Sequence, residues 1–118
     1  MTGHRERINA LVLIDRDRCI FASCSDDKTI RMWNYGRGGI QIKSLEGHTS
    51  QVYDILKYND EALISASGDT TIKIWSIKHE YPVKTLIGHK GDVFTLCDVN
   101  IQLIASGSSD MTIKLWYV

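Results

Sequence analysis

Short runs of branched apolar residues, separated by clusters of Asp, Asn, Gly and Ser, set the pattern of this chain. Ile8 to Ile14 is one such run, and the charged turn Asp15-Arg16-Asp17-Arg18 separates it from a second, Cys19 to Ser23. Beyond the turn cluster Ser25-Asp26-Asp27-Lys28, the stretch Thr29 to Trp33 alternates, with Ile30 and Met32 on one face and Thr29, Arg31 and Trp33 on the other. That is the period of a strand. Tyr35 to Gly39 reads as a flexible loop and Ile40 to Leu45 as a fourth strand. The same order returns in Val52 to Tyr58, Ala62 to Ala66, Thr71 to Ile77 and Val83 to Leu86. The only proline, Pro82, falls in the loop before the last of these, where its missing N–H costs no ladder bond. Val93 to Val99, Leu103 to Gly107 and Thr112 to Val118 repeat the first three strands once more. No stretch holds a period of about 3.6 over successive turns, so eleven strands and no helix are predicted.

The recurrence extends to individual residues. Ser23 to Trp33, Ser65 to Trp75 and Ser106 to Trp116 each keep Ser, Asp, Thr, Ile and Trp at the same offsets. The tryptophans lie 42 and then 41 residues apart, and Gly3-His4, Gly47-His48 and Gly88-His89 precede the three copies. A period of that length marks an array of small supersecondary units. Here the units run over residues 3–46, 47–87 and 88–118. Each is predicted to be a sheet of four short antiparallel strands, the last lacking its outer strand, and such sheets bury their apolar faces only against a neighbour. The recurring His, Ser, Asp and Trp are satisfied together by a chain of hydrogen bonds from indole N–H to hydroxyl to imidazole to carboxylate. The expected sets are His4, Ser23, Asp27 and Trp33; His48, Ser65, Asp69 and Trp75; and His89, Ser106, Asp110 and Trp116. Ser, His and Asp together also suggest a hydrolase. Three copies argue against it, because an enzyme needs one triad with an exposed nucleophile whereas a fold needs the same bonds in every unit.

Gly47-His48, Val52, Leu63-Ile64-Ser65, Asp69 and Thr71-Ile72-Lys73-Ile74-Trp75, with their counterparts in the other units, make this sequence resemble the WD-repeat β-propellers. The resemblance covers essentially the whole chain. It departs in the first unit, where Ile8 to Ser23 is two residues longer than Val52 to Ser65 or Val93 to Ser106. It departs again after each Trp, where Asn34, Ser76 and Tyr117 stand in place of the family's usual Asp. The resemblance implies an all-β partial propeller of three blades and a non-catalytic platform for protein or peptide partners. It also implies contacts at the channel rim, on either side of the first apolar residue after Gly-His and just before the repeated Asp. Carried over, these positions are Arg7, Asn9 and Asp26; Gln51, Tyr53 and Gly68; and Asp92, Phe94 and Ser109. Aromatic residues dominate interface hot spots, which singles out Tyr53 and Phe94. The alternative for both is packing against the neighbouring blades.

Composition adds little to this picture. At 118 residues, 43% apolar and 24% charged, the chain has the make-up of a soluble globular domain, and its formal charge of zero gives no long-range field toward nucleic acid or membrane. One asymmetry supports a rival reading. All six arginines precede residue 38, and residues 1–45 carry eight basic against five acidic side chains, which suggests an RNA-associated component of a ribonucleoprotein. Cys19, Cys24 and Cys97 form no CxxC pair, so neither a disulfide framework nor a zinc site is expected, and no metal or other cofactor is assigned. His79 lies in a polar loop beside Glu80, and no glycine-rich phosphate loop is followed by Lys-Ser or Lys-Thr. With no apolar run of signal-peptide or membrane-spanning character, a cytoplasmic or nuclear protein is expected.

Closure is the physical difficulty. Propellers have about four to eight blades, so three blades leave two apolar end faces and an unpaired strand edge ending at Val118. Three resolutions are open: further blades in a longer protein, a second copy completing a ring, or a different protein that adds a strand to the edge.

Overall fold

The computed structural model describes residues 1–118. Its eleven strands are β1 (Ile8–Asp15), β2 (Ile20–Ser25), β3 (Ile30–Asn34), β4 (Ile40–Leu45), β5 (Val52–Asn59), β6 (Ala62–Ser67), β7 (Ile72–Ser76), β8 (Pro82–Leu86), β9 (Val93–Asn100), β10 (Leu103–Ser108) and β11 (Ile113–Tyr117). They form three antiparallel meanders in the order β1-β2-β3-β4, β5-β6-β7-β8 and β9-β10-β11. The third sheet ends at β11, as the sequence predicts.

Sequence and structure part at three places. The loop from Tyr35 to Gly39 holds an element that the sequence pattern does not predict: Tyr35–Arg37 makes one turn of 3-10 helix. The Asn34 side chain accepts from the Gly36 N–H at 3.0 Å, and Gly38 closes the turn at φ 76°. Pro82 is the first residue of β8 rather than part of the loop before it, opposite Trp75 at a register shift, and the start of an outer strand tolerates its missing donor. The second strand starts at Ile20, because Cys19 takes φ 62° to close the lengthened turn after β1.

Two interfaces carry the core. Ile14, Ala22, Cys24, Ile30, Met32 and Leu45 of the first sheet pack on Val52, Ile55, Leu63 and Trp75 of the second. Ile64, Ala66, Ile72, Ile74 and Leu86 on the other side of that second sheet pack on Val93 and Ile104 of the third. Alternation along β6 explains both at once, since Leu63 and Ser65 face the first sheet while Ile64 and Ala66 face the third. The middle sheet is therefore buried on both faces. Burial of an aliphatic side chain stabilises by about 1.5–3 kcal/mol, so these two seams supply most of the drive to fold.

The outer faces lack this cover. Ile113 and Leu115 occupy the positions that Ile30 and Met32 hold in the first sheet, yet they are 79% and 63% exposed where Ile30 and Met32 are 0% and 1%. Leu11 and Leu13 are exposed on the opposite end face, and β11 is a sheet edge with no strand beyond it.

Candidate functional site

The recurring polar residues meet within each sheet. In the second, the indole N–H of Trp75 donates to Ser65 Oγ at 2.7 Å, Ser65 Oγ lies 2.6 Å from His48 Nε2, and His48 Nδ1 lies 2.7 Å from Asp69 Oδ2. The carboxylate can only accept, so His48 Nδ1 is the donor to Asp69, and Ser65 accepts from the indole. The first sheet repeats the chain with Trp33, Ser23, His4 and Asp27 at 2.8, 2.6 and 2.8 Å. The third does so with Trp116, Ser106, His89 and Asp110 at 2.7, 2.7 and 2.8 Å. Ser23 and Ser65 are fully buried, and Ser106 is nearly so, so no hydroxyl is presented to a substrate.

Two further repeated residues belong to this network, and sequence reasoning passed them over. Thr29, Thr71 and Thr112 each donate both backbone N–H and hydroxyl to Oδ1 of the Asp two positions earlier, the hydroxyl at 2.6 Å in every copy. Ser25, Ser67 and Ser108 accept the backbone N–H of that same Asp at 3.0–3.1 Å. Their constant offsets were the available signal, but a Thr at the start of a strand reads as β-propensity. The bonds set the acidity of the carboxyls. Burial alone raises the pKa of Asp27 and Asp69, but hydrogen bonds from Thr29 and His4, and from His48 and Thr71, outweigh it and hold both well below the ordinary carboxylate range. Asp110 is held low chiefly by the Thr112 hydroxyl.

The nine positions expected at the rim converge on one end of the sheets. Backbone bonds tie each turn to the start of its inner strand: Asp26 N–H to Arg7 C=O at 2.8 Å, Gly68 N–H to Gln51 C=O at 2.9 Å and Ser109 N–H to Asp92 C=O at 2.9 Å. Each inner strand then carries a β-bulge at the second residue of the strand. The pairing register skips Asn9 in β1, Tyr53 in β5 and Phe94 in β9. A bulge bends the strand and re-aims one side chain. Asn9 donates through Nδ2 to Asp26 Oδ1 and to Val52 C=O of the next sheet, both at 2.8 Å. Tyr53 and Phe94, from adjacent sheets, pack with ring centroids 4.8 Å apart at 54°, and the Tyr53 hydroxyl donates to Asp92 Oδ2 at 3.3 Å. Phe94 remains 46% exposed. Each ring therefore does pack on a neighbouring blade while Phe94 stays open to solvent.

Asp54, beside Tyr53, had no repeat to point to it. Its Oδ2 accepts the Leu96 N–H of the third sheet at 2.8 Å, tying two blades across their inner strands. Burial pushes its pKa up despite that bond. Burial first, and the Asp54 charge second, push the nearby Cys24 thiol up to about 12, which leaves it protonated and inert.

The WD domain, G-beta repeat, family matches residues 1–34, 39–76 and 80–117. The chain belongs to the WD-repeat family. The second and third matches take in β4 to β7 and β8 to β11, so each of these two repeats begins on the outer strand of one blade and ends on the third strand of the next, whereas the first takes in β1 to β3 of one blade. Repeat and blade are offset by one strand, and the second and third repeats thereby each tie two blades together. Among similar proteins, Nuclear distribution protein PAC1 of Tuber melanosporum is 37% identical over 84 residues, covering 69% of this chain and 18% of that protein. Eukaryotic translation initiation factor 3 subunit I of Caenorhabditis briggsae is 34% identical over 93 residues, covering 70% of this chain and 28% of that protein. DDB1- and CUL4-associated factor 10 of Homo sapiens is 33% identical over 74 residues, covering 62% and 13%. The chain spans less than a third of the length of these WD-repeat relatives.

Proposed function

We propose that this WD-repeat chain is a non-catalytic protein-interaction element of a larger cytoplasmic or nuclear assembly, and that its rim holds the partner contacts. The observation that carries this is the bulge at Asn9, Tyr53 and Phe94, which places the three unlike side chains of the array on one surface while the like residues close hydrogen bonds inside each blade. The buried Ser-His-Asp sets serve the blades rather than turnover, since each serine is engaged by both its Trp and its His.

Further blades, in a longer protein or from a second copy, are the natural cover for the two end faces. Ile113 and Leu115 present the kind of surface that Val52, Ile55, Leu63 and Trp75 cover in the first seam. The units 3–46, 47–87 and 88–118 are then the blades that such a cover would extend. An RNA-associated role draws no support from the arginines. Arg16 and Arg18 sit among Asp15, Asp17, Lys57 and Asp60, Arg18 lies 3.6 Å from Asp15, and Arg31 lies 3.9 Å from Asp27, so acidic neighbours accompany three of the six arginines.

The test replaces Phe94 by a photo-crosslinking phenylalanine analogue, with the same analogue at His79 in an outer loop as control, in extracts of cells that express the protein. Protein adducts that form from position 94 and not from 79 are expected. Adducts equal at both positions, or adducts that disappear with ribonuclease, refute the proposal.

A further inference from the structure

The rim around Tyr53 carries two carboxylates, Asp26 and Asp92, that form no ion pair within the chain. Asp26 Oδ1 accepts from Asn9 and Asp92 Oδ2 from the Tyr53 hydroxyl, but neither carboxylate enters any of the chain's ion pairs. Arg7, Lys28 and Lys90 flank the rim, all exposed, and none pairs with either Asp. Both carboxylates act on the same ring. The phenol of Tyr53 is harder to ionise than usual, first through burial and then through the charges of Asp92 and Asp26.

Beside Asp92 lie two packed aromatic rings, Tyr53 and Phe94, the second nearly half exposed. The faces of aromatic rings attract cations through their quadrupole, most strongly where carboxylates stand beside them. Gly68 borders Tyr53, and a Cβ there would meet Ser50 Oγ at 2.8 Å and Tyr53 Cε2 at 3.3 Å, so any larger residue would crowd the ring. We infer that Tyr53, Phe94, Asp26 and Asp92 form a subsite for a basic side chain, lysine or arginine, presented by a peptide segment of the partner. This rests on the rim being the partner-binding surface and adds the chemistry of what it takes. An acidic or phosphorylated segment is disfavoured there by like charge.

A random dodecapeptide phage library selected on the full chain tests it, with retained peptides then synthesised and their affinities measured. Retained peptides should share a Lys or Arg whose replacement by norleucine or citrulline weakens binding about tenfold, a change that leaves the protein untouched. The paired variant Asp26→Asn and Asp92→Asn keeps the acceptors for Asn9 and Tyr53 and should weaken the same peptides about tenfold, with affinity falling as salt rises. Peptides that depend on Phe94 (lost with Phe94→Ala) yet need no basic residue and ignore the Asp variants overturn this inference and leave the rim reading standing. Peptides indifferent to Phe94→Ala, or none retained at all, overturn both.

Discussion

Replacing Asp69 by Ala removes one carboxylate and four of its bonds: His48 Nδ1 at 2.7 Å, Thr49 N–H at 3.1 Å, Thr71 N–H at 2.9 Å and Thr71 Oγ1 at 2.6 Å. Water can reach the exposed Thr49 and in part Thr71, so their losses are small. It cannot reach His48, which is 6% exposed. A buried donor left without a partner costs about 1–3 kcal/mol, and the Thr71 bonds add about 1 kcal/mol, for a total of about 3 kcal/mol. Small domains are stable by about 5–15 kcal/mol, so this is a large share. At about 3–6 °C per kcal/mol for a chain of this length, the melting temperature should fall by about 10–20 °C. Thermal denaturation followed by far-UV circular dichroism reads it, with the exposed Asp98→Ala as the control that should melt with the wild type. A double-mutant cycle with His48→Ala should show coupling of at least about 1 kcal/mol, because the second deletion removes the donor that the first had stranded. An Asp69→Ala protein melting within about 2 °C of the wild type would refute the reasoning.

Three other predictions follow from the same geometry. Asp27, Asp69 and Asp110 have lowered pKa values when folded, so the unfolded chain binds more protons in acid: their contribution is present above the unfolded value of about 3.9 and is lost as pH falls below it. Urea titrations should show a steep loss of stability below about pH 4, shallower in Asp69→Asn, and an equal slope in that variant would refute the assignment. Asp54 has the opposite sign, its raised folded pKa favouring the protonated form, so Asp54→Asn should melt above the wild type at pH 7 and lose that advantage near pH 3; a variant that melts lower at pH 7 shows that the charge itself is needed at Leu96. Thr70, at φ 75°, holds a β-branched residue in the left-handed region, so Thr70→Gly should gain about 0.5–1 kcal/mol in urea unfolding, and a loss would show that its side chain is engaged.

The strand order, the three sheets and the partners of each Trp were readable because every element occurs at least twice in phase, and one copy checks another. Features that occur once gave no such check. Asp54 has Ala10 and Thr95 at its counterpart positions, so nothing in the sequence separates a blade-to-blade acceptor from an ordinary polar strand residue. The turn at Tyr35–Arg37 depends on the one Asn that follows a Trp, in the slot where the family usually has Asp. The bulges were hidden for a different reason. A bulge shifts the period-two pattern of Val52 to Tyr58 by a single residue, so the pattern alone does not mark Tyr53, and only the family resemblance points to it before its pairing is known.

Comparing the three copies with one another also separates two jobs that a single copy would blur. His, Ser, Asp, Thr and Trp return in every blade, and each is consumed by bonds inside that blade. The rim positions do not return: Asn9, Tyr53 and Phe94 share one structural slot, as do Arg7, Gln51 and Asp92, and Asp26, Gly68 and Ser109. Those slots do reach the neighbouring blade, Asn9 to Val52 and Tyr53 to Phe94 and Asp92, but each by a different contact, so no single residue is demanded three times as it is in the tetrads. Their variety is what a surface needs when it faces one asymmetric partner across several identical blades, and the pairing of two rings with two carboxylates that form no ion pair is where that asymmetry is greatest.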